Sequence, residues 1–355
     1  LTDRFDNPFV DELFMRAGEG RISASGLKVV QSGGYRFPYE NLRGASTLGA
    51  RSARFWAHGY GPVGGAFWDP DGYHLRSEAD FHVGLDKLAE ASDAQVLIWP
   101  YFPMQAREYG WLENWVSLRL GRNTAKGLIP RTREHTRAFL NCESSAVGED
   151  DGGLQLSRNK RKTTGRQWRR LEELGSLQFE STRDGLDHNE AIEAFLRVEA
   201  SGWKANRGTA LAVNAELNAF AHAFLPGMLA NGRAQIDLMV LDGRCLSGLV
   251  TFHCGRGLFT WKTGMDDVYK RYSPGVQILL EVSRQAVSDP GVDYIDSLAD
   301  SGHPVAEHIW AGRRQLATLF VPLTGLGRVA AQGLCSAYST RDTARYWAKR
   351  ALGRV

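Results

Sequence analysis

Apolar residues recur at helical spacing along 78–91, where Phe81, Leu85 and Leu88 fall on one face, and again along NEAIEAFLRVEASGWK (189–204). DELFMRAG (11–18) predicts a further short helix. Apolar runs bounded by turn residues predict buried strands at LKVVQS (27–32), QVLIWPYFP (95–103), AQIDLMVLDG (234–243) and ATLFVPL (317–323). RCLSGLVTFHCGRGLFTWKTG (244–264) predicts two more, joined by Cys-Gly-Arg-Gly. Leu-Asp-Gly links the first of these to 234–243 as a hairpin. RFWAHGYGPVGGAFW (54–68) mixes a short strand with a Gly-Pro-Gly-Gly turn, and RFPYENLRGAS (36–46) reads as loop. Helices are expected over 156–175, from GTAL (208–211) to Leu225, over 275–287 and over 337–352, with strands at 174–184 and 293–299.

Helices preceding strands, repeatedly, predict an α/β or α+β chain with central mixed sheets. The 355 residues suggest about two domains, divided here as 1–184 and 185–355. The second runs helix, helix, three antiparallel strands, helix, strand, short helix, strand.

Net charge is only +3, but LSRNKRKTTGRQWRR (156–170) holds seven Lys or Arg and no acid. Either a polyanion such as nucleic acid meets it, or it is a solvated helix face. The four cysteines, at 142, 245, 254 and 335, form no CxxC pair, so no metal site is expected. They fit a reducing cytoplasm. No run of 18 apolar residues predicts a membrane span, and no signal peptide opens the chain, which starts at Leu1. A G-x-S-x-G nucleophile elbow is absent.

The chemistry concentrates in WKTGMDDVYKRYSPGVQILLEV (261–282). Ser273 can cap the following helix, Pro274 suits its first turn, and Gly275 lets backbone approach a ligand. Free N–H groups there suit a phosphate, with Lys270 and Arg271 adding charge. An ordinary loop and cap has the same signature. Ten tryptophans could line a cleft or fill a core.

GWKANRGTAL (202–211), the Trp-Lys of 261–262, D-x-x-Y-x-x-Y-S-P-G (266–275) and IDSLADSGHPVAEHIWAGRR (295–314) together resemble the GNAT-like acetyltransferases grouped with cellulose-biosynthesis CelD proteins, distant relatives of the Fem aminoacyltransferases. The resemblance is clearest over 150–322 and implies tandem GNAT-like domains, the first degenerate. It implies acetyl-CoA or another acyl-CoA as donor substrate. The acceptor would be a small molecule or carbohydrate, with aminoacyl-tRNA the donor in a Fem-like alternative and a non-catalytic polyanion- or polysaccharide-binding protein the third reading. Arg271, Ser273, Pro274, Gly275 and Val276 would hold the donor phosphates, although Arg-Tyr-Ser-Pro-Gly stands where the family carries Arg-x-x-Gly-x-Gly/Ala. Trp203, Lys204 and Thr209 would face the acceptor, Asp266 and Arg313 donor or acceptor, and Lys262 is a catalytic candidate that would touch either. His303 is the candidate base, because imidazole titrates near the working pH, with Asp296 to orient it. His303 followed by Pro304 also reads as a helix start. Transfer would be by direct attack on the thioester, with no covalent enzyme intermediate.

Overall fold

A computed structural model describes residues 6–22, 26–32, 34–64, 77–121, 127–142, 154, 156–202, 208, 210–303 and 305–351. The strands are β1 Lys28–Ser32, β2 Tyr35–Leu42, β3 Ser52–Phe55, β4 Val96–Pro103, β5 Arg131–Asn141, β6 Leu177–Ser181, β7 Ala234–Leu241, β8 Arg244–Cys254, β9 Gly257–Met265, β10 Tyr294–Asp296 and β11 Gly312–Pro322. The helices are α1 Glu12–Gly18, α2 Glu78–Ser92, α3 Arg107–Arg119, α4 Arg158–Glu172, α5 His188–Ala200, α6 Ala215–Ala230, α7 Pro274–Ser288, α8 Ala306–Ile309 and α9 Gly327–Ala351.

The described strands form one mixed sheet in the order β1-β2-β3-β4-β11-β5-β10-β9-β8-β7-β6. Two neighbouring pairs are parallel, β3 with β4 and β9 with β10. Among the described residues each crossover carries one α-helix, α2 and α7 respectively, as parallel strands require. The β7–β8 hairpin turns on Asp242 (φ 48°) and Gly243 (φ 78°), a two-residue left-handed turn that matches strand twist.

The two halves of the sequence interlock. β11 inserts between β4 and β5, and β5 inserts between β11 and β10. A line at 184/185 passes between β6 and β7, which pair from Leu177↔Leu241 to Ser181↔Asp237. The core is equally shared. Phe14 of α1 packs edge-on against Phe220 and Phe224 of α6 and Phe252 of β8, at centroid distances of 5.2, 5.0 and 5.9 Å.

Three expectations change. Residues 36–42 are not loop but strand β2, whose Tyr35, Phe37 and Tyr39 are buried. Pro38 inside the run hides a two-residue alternation that is otherwise clear. α3 and β5 had no counterpart in the periodicity; β5, RTREHTRAFLN, carries charges at Arg131, Arg133, Glu134 and Arg137 that break its apolar pattern. The strand expected over 293–299 is confined to Tyr294–Asp296, and that early end shapes the site.

Candidate active site

β10 pairs with β9 only as far as Asp296↔Phe259. β9 continues to Met265, so residues 260–265 have no strand partner on that side among the described residues. Thr260 Oγ1, 3.2 Å from Ser297 O, marks where the strands part. The register shifts between Val250↔Lys262 and Thr251↔Thr260, which leaves Trp261 as a bulge just inside the opening.

Alternation along β9 then sends its side chains to two different neighbours. Thr263 and Met265 face α7. A Cβ built on Gly275 would sit 3.5 Å from Met265 Sδ and 3.9 Å from Thr263 Cγ2, ordinary contact distances. Neither backbone angle nor packing therefore demands glycine there, and its bare side leaves room beside the open strand. On the other face, Lys262 and Gly264 meet the end of α5. A Cβ on Gly264 would lie 2.7 Å from Glu199 Cα, so this close approach does require glycine.

The α7 start differs from a conventional cap. Ser273 (φ 54°) makes no side-chain cap bond, and no acid stands in the first turn. Its hydroxyl instead accepts from Gln167 Nε2 of α4 at 3.1 Å. The N–H groups of Val276 and Gln277 turn back to Ser273 O at 2.9 and 3.1 Å. Pro274 is held through its carbonyl, which accepts from Ser247 Oγ at 3.1 Å. Arg271 is exposed, its guanidinium 4.6 Å from the Tyr272 ring centroid. A helix N-terminus with no carboxylate and no side-chain cap keeps its positive end of the dipole available.

Lys262 is mostly buried. Its Nζ lies 3.7 Å from Glu199 Oε1 and 4.8 Å from the Tyr60 ring centroid. Burial lowers its pKa, and the Glu199 charge opposes that shift. Glu199 Oε2 accepts from Leu211 N at 2.8 Å, while Oε1 is buried and has no hydrogen bond among the described residues. Tyr60 arrives from the first half of the chain, anchored by Trp261 Nε1 donating to its carbonyl at 2.7 Å.

The other expected site residues take bracing positions. Asp296 is fully buried. Arg137 Nε lies 2.6 Å from its Oδ1, Arg137 Nη2 and Arg314 Nη1 donate to Oδ2 at 2.8 and 2.7 Å, and Leu298 N donates to Oδ1 at 2.9 Å. Burial pushes this carboxyl up, but the two guanidinium groups outweigh it and hold it below the usual carboxylate value. Its oxygens are thus engaged in clamping β10 to β5 and β11, not in orienting His303. His303 is exposed, and its Nδ1 accepts from Val305 N and Ala306 N at 3.4 and 3.3 Å, at the start of α8. Arg313 donates to the carbonyls of Trp310 and Glu307 at 2.7 and 2.8 Å, tying down the end of α8. Asp266 caps the 3-10 turn through Val268 N at 3.0 Å and pairs with Arg244 at 2.6 Å. Trp203, Lys204 and Thr209 lie outside the described residues.

The site therefore brings together Lys262 with the 273–276 turn across one strand, and adds Glu199 and Tyr60, which the sequence reading missed. Glu199 had a signal: it falls on the buried face of α5 with Ile192, Phe195 and Leu196. Tyr60 had none, since it reaches Lys262 only through the fold. On the α5 side a cavity of about 560 Å³ runs between α5 and the β7–β8 hairpin, lined by Glu190, Arg197, Ser201, Arg244 and Asp266 among others. Among the described residues no group of three or more His, Cys, Asp or Glu could hold a metal ion, and no helix is long and apolar enough to cross a membrane.

Residues 158–304, from α4 through β10, match the family model of the acetyltransferase (GNAT) domain. Among solved structures, the chain is similar to a conserved protein of unknown function from Bacteroides thetaiotaomicron VPI-5482, with TM-score 0.54 and 12% identity over 90% of this chain and 93% of that one. It is also similar to the C-terminal DUF2156 domain of a putative lysylphosphatidylglycerol synthetase from Agrobacterium fabrum, with TM-score 0.51 and 12% identity over 90% of each chain. FemX follows with TM-score 0.50 and 11% identity over 84% of this chain and 88% of that one. At such identities the likeness concerns the fold. No curated protein matches the chain in sequence. The fold is a mixed α/β arrangement of the GNAT kind, and the domain match supports an acyltransferase.

Proposed function

We propose that the protein transfers an acyl group from an acyl-CoA thioester to an amine or hydroxyl by direct attack. The observation that carries this is the opening where β9 outruns β10, with the uncapped, acid-free start of α7 against its free length. In this reading the donor phosphates lie at Arg271, Ser273, Gly275 and Val276, and the thioester enters the opening beside Trp261. Backbone N–H groups of a strand that has lost its partner can polarise the thioester carbonyl. The acceptor approaches from the α5 face. The resemblance to CelD proteins favours a sugar or polysaccharide precursor as that acceptor.

A second reading, aminoacyl transfer from tRNA, is favoured by α4. This helix carries seven Lys or Arg between 158 and 170 and packs directly on the α7 start, with Gln277 Nε2 donating to Thr164 O at 2.9 Å. FemX and the lysylphosphatidylglycerol synthetase domain share the fold, which leaves both donors open to test.

Titration calorimetry with acetyl-CoA and with free CoA separates the two. The first reading expects both to bind. Absence of heat from either, together with aminoacyl-tRNA binding that disappears on reversing the charges of Lys160, Arg161 and Lys162, replaces it with the second.

A further inference from the structure

The acyl-transfer reading leaves open what handles the acceptor's proton, and the exposed His303 is engaged at α8. The inside of the opening holds a different candidate. Glu199 is 1% exposed, yet among the described residues its Oε1 has no partner within hydrogen-bond distance, and Lys262 Nζ is 3.7 Å away. That gap is too long for a direct hydrogen bond. A buried carboxylate oxygen without a donor is costly unless it serves something. The pair sits where Lys262 follows the Trp261 bulge, at the level where β9 has no partner on its other edge. The titratable groups facing Lys262 are Glu199 from α5 and Tyr60 from the 58–61 turn, while β8 presents Val250 in register. Asp266, the next acid along β9, is paired with Arg244.

We infer that Lys262 carries the acceptor's proton during transfer, and that Glu199 is the positioning residue that sets its protonation, with Tyr60 closing the site from the first half of the chain. This inference rests on the acyl-transfer reading. The step balances without any further reactant. The acceptor's nitrogen or oxygen lone pair attacks the thioester carbonyl carbon, the new C–N or C–O bond forms, and the C–S bond breaks with its electron pair going to sulfur. The neutral Lys262 amine takes the proton released by the acceptor, and the resulting ammonium returns it to the thiolate. Glu199 is buried behind the lysine and never meets the acceptor. Its negative charge holds the amine in place and raises the pH at which the amine form appears.

Two measurements on the whole protein test this. The first is labelling of Lys262 by acetic anhydride across a pH series, read by peptide mass spectrometry. Glu199→Gln keeps the shape and a hydrogen-bond acceptor for Leu211 N but removes the charge. It should move the labelling midpoint to lower pH by roughly one unit or more. Glu199→Asp, which keeps the charge but withdraws it, should move it by less, and serves if the Gln variant does not fold. A midpoint that stays put in both overturns the link. The second is CoA thiol release from acetyl-CoA with hydroxylamine as the probe acceptor. Lys262→Met should reduce release on the order of 100-fold, within the range of general acid–base contributions, while calorimetric CoA binding stays within threefold of wild type. Its acid limb in wild type should follow the labelling midpoint and shift with it in Glu199→Gln. Release that survives in Lys262→Met, or wild type that binds acetyl-CoA yet releases no thiol above the protein-free rate, overturns the inference and leaves donor binding standing. Wild type that binds no CoA overturns the acyl-transfer reading itself.

Discussion

The sheet contains the same device twice, and only one copy is open. β3–α2–β4 and β9–α7–β10 are both parallel pairs whose crossover carries an α-helix. In the first, β3 stops at Phe55 while β4 runs on to Pro103, and the chain after β3 fills the gap. Trp99 Nε1 donates to Gly64 O at 3.1 Å, and a Cβ on Gly64 would collide with Pro100 O. In the second, β10 stops early and β9 runs on beside an edge with no strand partner among the described residues. The helix starts differ in the same sense. Ser77 caps α2 by accepting from Asp80 N at 3.0 Å, and the first turn carries Glu78 and Asp80. The α7 start has neither a side-chain cap nor an acid. A stoppered gap with a negative helix start cannot take a phosphate-tethered donor, and an open one with a bare start can. The first crossover's own stopper, residues 58–62, then reaches over to the second, giving Tyr60 to Lys262 and Pro62 O to Arg137.

The largest effect should come from the charge cluster that ends β10 early. Asp296→Asn removes the carboxylate that pairs with Arg137 and Arg314, which are 2% and 3% exposed. Removing one member of a buried pair costs about 3–5 kcal/mol, which urea unfolding would read. The pH dependence has a fixed sign. The folded carboxyl titrates below its unfolded value, so its contribution is complete above the ordinary carboxylate pKa of about 3.9 and is lost as pH falls below that. Wild type and variant should therefore converge in stability as pH drops below about 4. A constant gap down to acid would show that Asp296 contributes through shape alone.

Next comes the helix start. Gly275→Asp writes the acidic first turn of α2 onto α7 and places a side chain where Gly275 leaves the strand bare. Acetyl-CoA affinity should fall about 100-fold, or about 2.8 kcal/mol at 1.4 kcal/mol per tenfold. Stability should change little, since the added Cβ meets only ordinary contacts. Unchanged affinity would move the donor phosphates away from α7.

How much of this was legible in the sequence follows the range of the forces involved. The β7–β8–β9 meander and α7 were legible because hairpin turns and helical periodicity are local. The helix start at Ser273–Gly275 was legible as a place, but not its engagement with Gln167, which is 106 residues away in sequence. Asp296 and His303 looked like a catalytic pair because they are near each other in sequence. Arg137 and Arg314 claim the acid from other strands, and the imidazole caps the short helix after it. β5 was invisible for the related reason that its arginines read as solvent-facing until their partners are known. Glu199 stood on an apolar helix face, the one signal in the sequence that a buried charge was present, and Tyr60 depends wholly on the interlock.

The smallest effect is the converse exchange, and it separates the two features that close the first crossover. The triple change Ser77→Gly, Glu78→Gln, Asp80→Asn gives α2 a bare, acid-free start like that of α7. Loss of the reciprocal Ser77–Asp80 bonds and of two favourable charges at a helix N-terminus should destabilise the protein by about 1–2 kcal/mol, seen as a lower urea midpoint. If charge alone kept donors out, calorimetry would show a second CoA site appearing. The filled gap predicts that none appears, because Gly64 still packs against Trp99 and Pro100 of β4 where β3 has ended. Stoichiometry of one in this variant would assign the closure to the stopper and leave the acidic turn as an ordinary cap.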